Sequence, residues 1–351
     1  MNGARVMVNL DAYTHNLGLV RSRVAPADVM AVVKADGYGH GLRQIAGAAV
    51  AAGIRWIGCL DIATGLELRE QELPQDVRLF AWLLAPDEDY AEAISAGIDL
   101  GVSTKQQLLQ IADAVTTVPA RVHLKIDTGL HRNGASAAEW PDLVSTALVL
   151  SQQITLIGVW THISEASDSE DSASIALFRQ AISVATDLGA RFVVRHLAAS
   201  AASNARQDAR FDLVRVGAFA YGISPGGGVT SSSLGLHPVM TLTAPITSVD
   251  EGRATIGLGY GHGLPSGAIG VLEVAIGSVR CSISEMTLDS LTVEIPTIGV
   301  HAAVVEVGQI ATLFGPGLNG EATLQEWADA LGTIGEEIVT RLSPDLPRVF
   351  V

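Results

Sequence analysis

The chain has 351 residues, of which 48% are hydrophobic, and a formal net charge of -15 at pH 7, a balance that excludes nucleic acid and anionic membrane surfaces as main partners because a uniformly acidic protein is repelled by both. Its two cysteines, Cys59 and Cys281, lie far apart, which excludes a disulfide framework and a cysteine metal site and fits a reducing cytoplasm. No apolar run is long enough to cross a membrane, and the start is polar and strand-like rather than a leader, so a cytoplasmic protein with no metal site is expected.

Arg5 to Leu10 reads as a short strand, followed by a helix from about Asp11 that sets Leu17, Val20 and Val24 on one face. Apolar, β-branched runs then recur at residues 29–34, 56–60, 79–84, 98–102, 121–127, 156–163, 192–197 and 213–221, separated by segments of helical period. The runs are continuous rather than alternating, the pattern of parallel strands buried on both faces. Eight such strands alternating with helices over roughly 200 residues predict an α/β fold, a (β/α)8 barrel of the TIM type, with a doubly wound open sheet as the alternative. Ser224-Pro225-Gly226-Gly227-Gly228 is a flexible loop after the eighth run. From about His237 short strands are expected at residues 239–243, 271–275 and 290–294, with Gly and Pro between them and one helix at residues 324–331. The expected organisation is a barrel over residues 11–236 and a smaller, mostly-β domain made of residues 1–10 plus 237–351.

A barrel carries its chemistry at the C-terminal ends of its strands, and the polar residues of this chain collect there. Lys34 ends the first run and is followed by a glycine-rich turn, Ala35-Asp36-Gly37-Tyr38-Gly39-His40-Gly41. An ammonium without a partner is costly to desolvate, whereas a lysine of lowered pKa at a strand mouth can form an imine with an aldehyde; the alternative is a lysine that simply reaches solvent. Tyr38 returns over the same mouth if the turn is tight, or packs on a neighbouring loop. Lys125 and Asp127 are two apart on the fifth run and so share a face, and Arg132 in the loop beyond suits a grip on a carboxylate or phosphate, or a structural ion pair. His162 ends the sixth run. Ser200 follows the seventh at the start of a helix, where it could hold a phosphate or serve as an ordinary N-cap. Arg215, inside the eighth run, needs a partner, either a ligand or an ion pair with a neighbouring strand, and Gly217 allows close approach to the backbone. Gly257 to Gly263 is a glycine-rich turn that by itself reads as a hairpin.

Taken together and in this order, these segments resemble the alanine racemase family of fold-type III pyridoxal 5'-phosphate enzymes across essentially the whole chain. The most specific are Ala31-Val32-Val33-Lys34-Ala35-Asp36-Gly37-Tyr38-Gly39-His40-Gly41 and Lys125-Ile126-Asp127-Thr128-Gly129-Leu130-His131-Arg132-Asn133-Gly134. The resemblance implies a cytoplasmic isomerase of amino-acid metabolism, acting on L-/D-alanine or a related small amino acid as a head-to-tail homodimer. It implies that Lys34 bonds the cofactor aldehyde and acts as base at the substrate Cα, and that Tyr38, Ser200 and the backbone of Gly217 and Ala218 hold the phosphate. Arg215 would face the pyridine nitrogen with His162 hydrogen-bonded behind it. A guanidinium does not readily give up a proton, so the ring nitrogen stays unprotonated and racemisation is favoured over transamination. Arg132 would bind the substrate carboxylate, steadied by Lys125, which is often carbamylated in the family. Tyr260 would reach the partner subunit's site. His262 stands where an aspartate is usual, and Ser284 follows Ile283 where the family has Met-Asp.

The resemblance also exposes departures. The family's second base is a tyrosine in a Ser-Tyr-Gly segment early in the β domain, but here Ser248 to Ile256 runs directly into the glycine-tyrosine turn. Ala199-Ser200 replaces Asn-Ser, and Pro344-Asp345-Leu346-Pro347-Arg348 lacks the phosphate-binding tyrosine of that region. Three readings therefore stand beside one another. The first is a racemase whose other face is served by water, His262 or another group. The second is an enzyme of one-base Cα chemistry such as decarboxylation, elimination or proton exchange, and the third is a non-catalytic binder of the cofactor.

Overall fold

The structure is a computed structural model that describes residues 3–71, 73–85, 88–165, 167–298, 301–302 and 305–351. The chain forms two compact units, one of Val20–Lys34 with Ala49–Gly217, the other of Met1–Leu19, Ala35–Ala48 and Ala218–Val351. The first strand, β1 (Arg5–Val8), belongs to the second of these.

The first unit is the barrel. Its strands are β2 (Asp28–Val32), β3 (Trp56–Leu60), β4 (Arg78–Ala81), β5 (Ile98–Val102), β6 (Ala120–Lys125), β7 (Ile154–Trp160), β8 (Val194–His196) and β9 (Leu213–Val216). They pair in sequence order, all parallel, and β9 returns to β2 with Met30 opposite Arg215, so the sheet closes and the open-sheet alternative falls away. Every residue of β5 and β9 is buried, as strands covered on both faces require. Short polar side chains start the intervening helices: Asp61 accepts from the Thr64 amide at 2.8 Å, Asp89 from Glu92 at 3.1 Å and Thr104 from Gln107 at 3.2 Å. Met30, Trp56, Phe80, Ile157, Trp160, Val194 and Leu213 form a buried apolar cluster. Each such side chain stabilises the fold by roughly 1.5–3 kcal/mol.

The apolar runs overshoot the strands. The run at residues 213–221 holds strand only to Val216, and Ala218–Tyr221 is a 3-10 turn whose Phe219, Ala220 and Tyr221 stay buried. The run at residues 79–84 leaves the ladder after Ala81, where the amides of Trp82 and Leu83 both bond to the Leu60 carbonyl at 2.8 Å. Hydrophobicity reports burial, and burial continues past the last ladder bond.

The second unit adds β10 (Met240–Asp250), β11 (Arg253–Ile256), β12 (Glu273–Ile276), β13 (Val279–Met286), β14 (Leu291–Glu294), β15 (Thr297–Ile298), β16 (His301–Ala302), β17 (Ile310–Phe314) and β18 (Arg348–Phe350). The main sheet runs β11-β14-β13-β12-β17-β10-β1-β18, with β10 also paired to β11, while β15 and β16 form a separate ribbon. β10 runs past the expected strand at residues 239–243 to Asp250 and carries Pro245 inside it. The proline is tolerated beside irregular register at Leu242/Thr243 and Ile246/Ser248. The expected helix is present at Leu324–Leu331, closed by a capping box between Thr323 and Glu326, with Trp327 buried edge-on against Phe314.

The shortened stretch before the glycine-tyrosine turn is a hairpin. Asp250 pairs with Arg253, and the intervening Glu251 and Gly252 have φ of +42° and +81°, the left-handed pair that a two-residue turn between twisted strands requires. No tyrosine lies between Tyr221 and Tyr260. Among the described residues, no helix is long and apolar enough to cross a membrane.

Candidate active site

β2 makes its last ladder bond from the Val33 amide to the Gly58 carbonyl at 2.9 Å, and Lys34, half-buried, is the next residue. Ala35, Asp36, Gly37 and Tyr38 then all take φ of +53° to +59°, one turn of left-handed helix. For an L-residue this conformation costs roughly 1–2 kcal/mol, so the turn stores strain at three non-glycine positions. Local bonds hold it. The Asp36 carboxylate accepts from the Leu42 amide at 2.7 Å and its carbonyl from Gly41 at 3.0 Å; His40 Nδ1 donates to the carbonyls of Gly37 and Tyr38 at 3.0 and 2.8 Å. Arg348 Nε donates to the Gly39 carbonyl at 3.0 Å, tying the C-terminal segment to the turn. Tyr38 is buried, its ring centre 4.7 Å from that of Tyr221, and burial raises its pKa; His40, wholly buried, is pushed down to about 4. A strained turn directly after a strand-end lysine is the kind of outlier that marks a functional site.

In the barrel, Arg215 is 6% exposed and hydrogen-bonded through both terminal nitrogens. Nη2 donates to the carbonyls of Thr161 (2.9 Å) and Leu197 (2.8 Å) and to His162 Nδ1 (3.1 Å), while Nη1 donates to His196 Nδ1 (3.0 Å). Among the described residues none of these hydrogen-bond partners is an anion, so the ion pair considered from sequence is not what holds Arg215. Burial and the Arg132 charge draw its pKa down to about 9. His162 is pushed to about 2, first by burial and then by the charges of Arg215, Arg132, Lys125 and Lys34. The charges of four basic side chains thus act on one neutral imidazole, with Arg215 in direct hydrogen-bond contact.

Lys125 ends β6 at 2% exposure, its Nζ 4.3 Å from the Trp160 ring centre and bonded to the Asn133 side chain. Burial, then Arg215 and Arg132, lower its pKa to about 7. The alternation that predicted Asp127 on the same face stops with the strand at Lys125. Asp127 instead folds the loop, accepting from the amides of Gly129 (3.0 Å) and His131 (3.1 Å) and from His131 Nδ1 (2.8 Å). Arg132 is exposed in that loop. Ser200 is the first residue of a short helix, Ser200–Ala205, but not its N-cap, since Ala199 holds that place; its hydroxyl accepts from the Gly217 amide at 3.2 Å. Ala218 opens the 3-10 turn.

In the second unit the glycine-rich run is not the expected hairpin. Tyr260–His262 is a single 3-10 turn, pinned by the Tyr260 amide on the Thr287 carbonyl (3.0 Å) and by His262 Nδ1 accepting from Gly259 (3.2 Å). Its side-chain bond back to Gly259 closes the turn that three glycines alone would leave loose. Tyr260 is 51% exposed, whereas Tyr13, Tyr38, Tyr90 and Tyr221 are buried. Ser284 lies on β13 beside a register shift and donates to the Thr292 carbonyl at 3.3 Å.

The sequence motifs assign no role to several residues around Arg215 and Lys125: His196, Trp160 and Asn133, and behind them His123 and Asp99, both wholly buried. The signal was present, since Asp99 interrupts an apolar run and His123 lies two before Lys125.

The family models described as "Alanine racemase, N-terminal domain" and "Alanine racemase, C-terminal domain" match residues 8–225 and 241–350. An alanine racemase of Thermobifida fusca is 40% identical, covering 99% of this chain and 98% of the relative. That alignment spans 375 positions against 351 residues here, so the relative carries positions that this chain lacks. Among solved structures, the alanine racemase of Streptomyces coelicolor A3(2) superposes with a TM-score of 0.94 at 37% identity, covering 99% of this chain and 98% of that one. The enzyme from D-cycloserine-producing Streptomyces lavendulae follows with 0.93 at 32%, covering 100% and 97%. With both domain models and full-length relatives in agreement, the chain belongs to the alanine racemase family.

Proposed function

We propose that this chain is a cytoplasmic, pyridoxal 5'-phosphate-dependent racemase of a small amino acid, alanine being the first candidate. The observation that carries the reading is Arg215, buried on β9 beside β2 and hydrogen-bonded, among the described residues, to the Thr161 and Leu197 carbonyls and to His162 and His196, with Lys125 ending β6 and Lys34 following β2. A cofactor phosphate and a substrate carboxylate supply the anions such a cluster calls for, and Lys34 supplies an amine at a strained strand end. The donor set therefore fits the cofactor.

When bound, pyridoxal phosphate offers an aldehyde to an amine and a ring that accepts the electron pair left when a Cα proton departs. Lys34 would hold it; Tyr38, Ser200 and the backbone of Gly217 and Ala218 would hold its phosphate. Arg215 would face the ring nitrogen. It donates to two imidazoles that stay neutral beside it, keeps its own protons and has none to spare for the ring. Arg132 would grip the substrate carboxylate, with Lys125 and Asn133 behind it. Lys34 takes the Cα proton on one face. For the opposite face, the exposed Tyr260 and its neighbour His262 are the groups offered, and the exposure of Tyr260 suits a head-to-tail homodimer in which it serves the partner's site; Ser284 completes the substrate side.

The hairpin at Glu251-Gly252 favours a second reading, in which Lys34 alone moves the Cα proton. Both are tested by incubating each enantiomer of alanine, and of serine, with protein and pyridoxal phosphate in D₂O. Cα exchange with inversion is expected for the racemase; exchange with retention would establish one-base chemistry. The loaded protein should be yellow, with the colour lost in Lys34→Ala, and a wild-type protein that takes up no pyridoxal phosphate would overturn the proposal.

A further inference from the structure

Behind Arg215 a line of buried polar groups crosses the barrel core. Arg215 Nη1 lies 3.0 Å from His196 Nδ1, His196 Nε2 lies 2.9 Å from His123 Nδ1, and His123 Nε2 lies 3.2 Å from Asp99 Oδ2. Asp99, His123 and His196 are all wholly buried. The direction of every bond is forced, because a guanidinium only donates. His196 must accept at Nδ1 and carry its proton on Nε2; His123 must then accept at Nδ1 and carry its proton on Nε2; Asp99 accepts the last proton.

The surroundings fix this line in place. The His196 ring is stacked on Trp160, with centres 5.6 Å apart and planes 4° from parallel, and His123 lies 4.6 Å from the Phe80 ring and edge-on to Trp56 at 5.8 Å. Opposite His123 on β7 stands Gly158, where a Cβ would come within 2.2 Å of His123 Nδ1. A glycine inside a buried strand weakens it, and this one leaves room for the imidazole. Asp99 is also gripped by Arg121, and by Arg78 at 3.3 Å, two residues near the N-terminal ends of their strands.

We propose that Asp99 and His123 are positioning residues for Arg215: the carboxylate sets the proton positions of both imidazoles and so presents Arg215 with a fixed acceptor. The consequence for the cofactor ring rests on the function proposed above; the proton positions themselves do not. Burial holds both imidazoles neutral, and the charged groups facing them are Arg215 at one end and Asp99, Arg78 and Arg121 at the other.

Asp99→Asn is the decisive variant. Its one oxygen stays with Arg121, and the amide NH₂ takes the place of the Oδ2 that faces His123 Nε2 and Arg78, donor against donor. His123 must move its proton to Nδ1, which then opposes His196 Nε2–H, and the reversal reaches Arg215.

Nitrogen-15 NMR of the histidines, on the full-length chain with and without pyridoxal phosphate, reads this directly. In wild type both rings are expected as the Nε2–H form, titrating below the ordinary histidine range, and in Asp99→Asn both as Nδ1–H, with the dissociation constant for pyridoxal phosphate raised about tenfold and the absorption of the bound cofactor shifted. Arg121→Ala loosens the same end of the barrel and should leave the imidazole protons where they are. If Asp99→Asn does not fold, Gly158→Ala, which pushes on His123 and keeps Asp99 and its arginines, is expected to weaken pyridoxal phosphate to a similar extent. Nδ1–H on either wild-type ring, or an affinity unchanged in the variant that folds, would overturn the inference. A wild type with the expected tautomers that binds no pyridoxal phosphate would instead remove the proposed function and leave the positioning line intact.

Discussion

Lys125 carries a charge that its surroundings resist. Its pKa is about 7 in the folded chain against an ordinary 10.5, so between those values the unfolded chain binds a proton that the folded one has lost. Stability must therefore rise with pH across that window, by about 1.4 kcal/mol per unit, and the cost of the buried ammonium is felt in full below about pH 7. Denaturant unfolding in CO₂-free buffer should show Lys125→Met gaining on wild type at low pH and losing that advantage steadily toward pH 10; parallel profiles would refute the assignment. The same half-neutral amine can add CO₂, and mass spectrometry in bicarbonate should find one CO₂ on Lys125 that is lost on acidification. Lys34, Lys125 and Arg215 were legible in the sequence because a charge closing or interrupting an apolar run has to be accounted for. Asp99 and His123 obey the same rule. They were passed over because barrel logic looks for chemistry at C-terminal strand ends, whereas these two act from the interior through Arg215.

The left-handed turn after β2 was legible as a glycine-rich turn but not as a left-handed one, since Ala35, Asp36 and Tyr38 have no intrinsic preference for it and tertiary bonds impose it. The eight barrel strands were legible from their continuous apolar runs, and their ends were not, because burial outlasts the ladder. In the second unit, β11, β13, β15, β16, β17 and β18 are not legible as separate runs, being short or polar on one face. The turn itself yields a graded test. Gly39 has φ of +74° and its Cβ would meet the Val339 carbonyl at 2.5 Å, a backbone atom that cannot step aside, whereas a Cβ on Gly37, at φ +59°, meets only Ile45 side-chain atoms at 3.3 Å. Gly37→Ala should cost about 1–2 kcal/mol, the left-handed penalty with a slight contact, and Gly39→Ala at least twice that. Thermal unfolding of the two variants, compared with wild type, checks the order; equal losses would mean that strain and not the Val339 contact dominates.

At the scale of the whole chain, acid should act on the two units unequally. Among the described residues, the histidines with lowered pKa are His123 and His196, wholly buried, and His162, half-buried, in the barrel, and His40, at about 4, in the second unit. Each is neutral when folded and takes up a proton on unfolding once the pH falls below about 6.5, so its contribution is present above that value and is lost as pH falls. With three such groups against one, the barrel should lose stability more steeply per pH unit than the second unit. Asp99, Asp127 and Asp212, whose pKa values are lowered in the folded state, add their share only at lower pH, below the ordinary carboxylate range, which leaves roughly pH 4.5–6.5 to the histidines. Against a total stability of about 5–15 kcal/mol, the barrel should open within a few pH units while the second unit retains most of its protection. Hydrogen exchange read by mass spectrometry, peptide by peptide, measures both slopes in one titration. His162→Gln removes one of the three titrating groups without touching Asp99 or His123, and should flatten the barrel's slope by about 1.4 kcal/mol per pH unit while leaving that of the second unit unchanged. If both units lost protection in parallel, the imidazoles of the barrel would not be what makes it sensitive to acid.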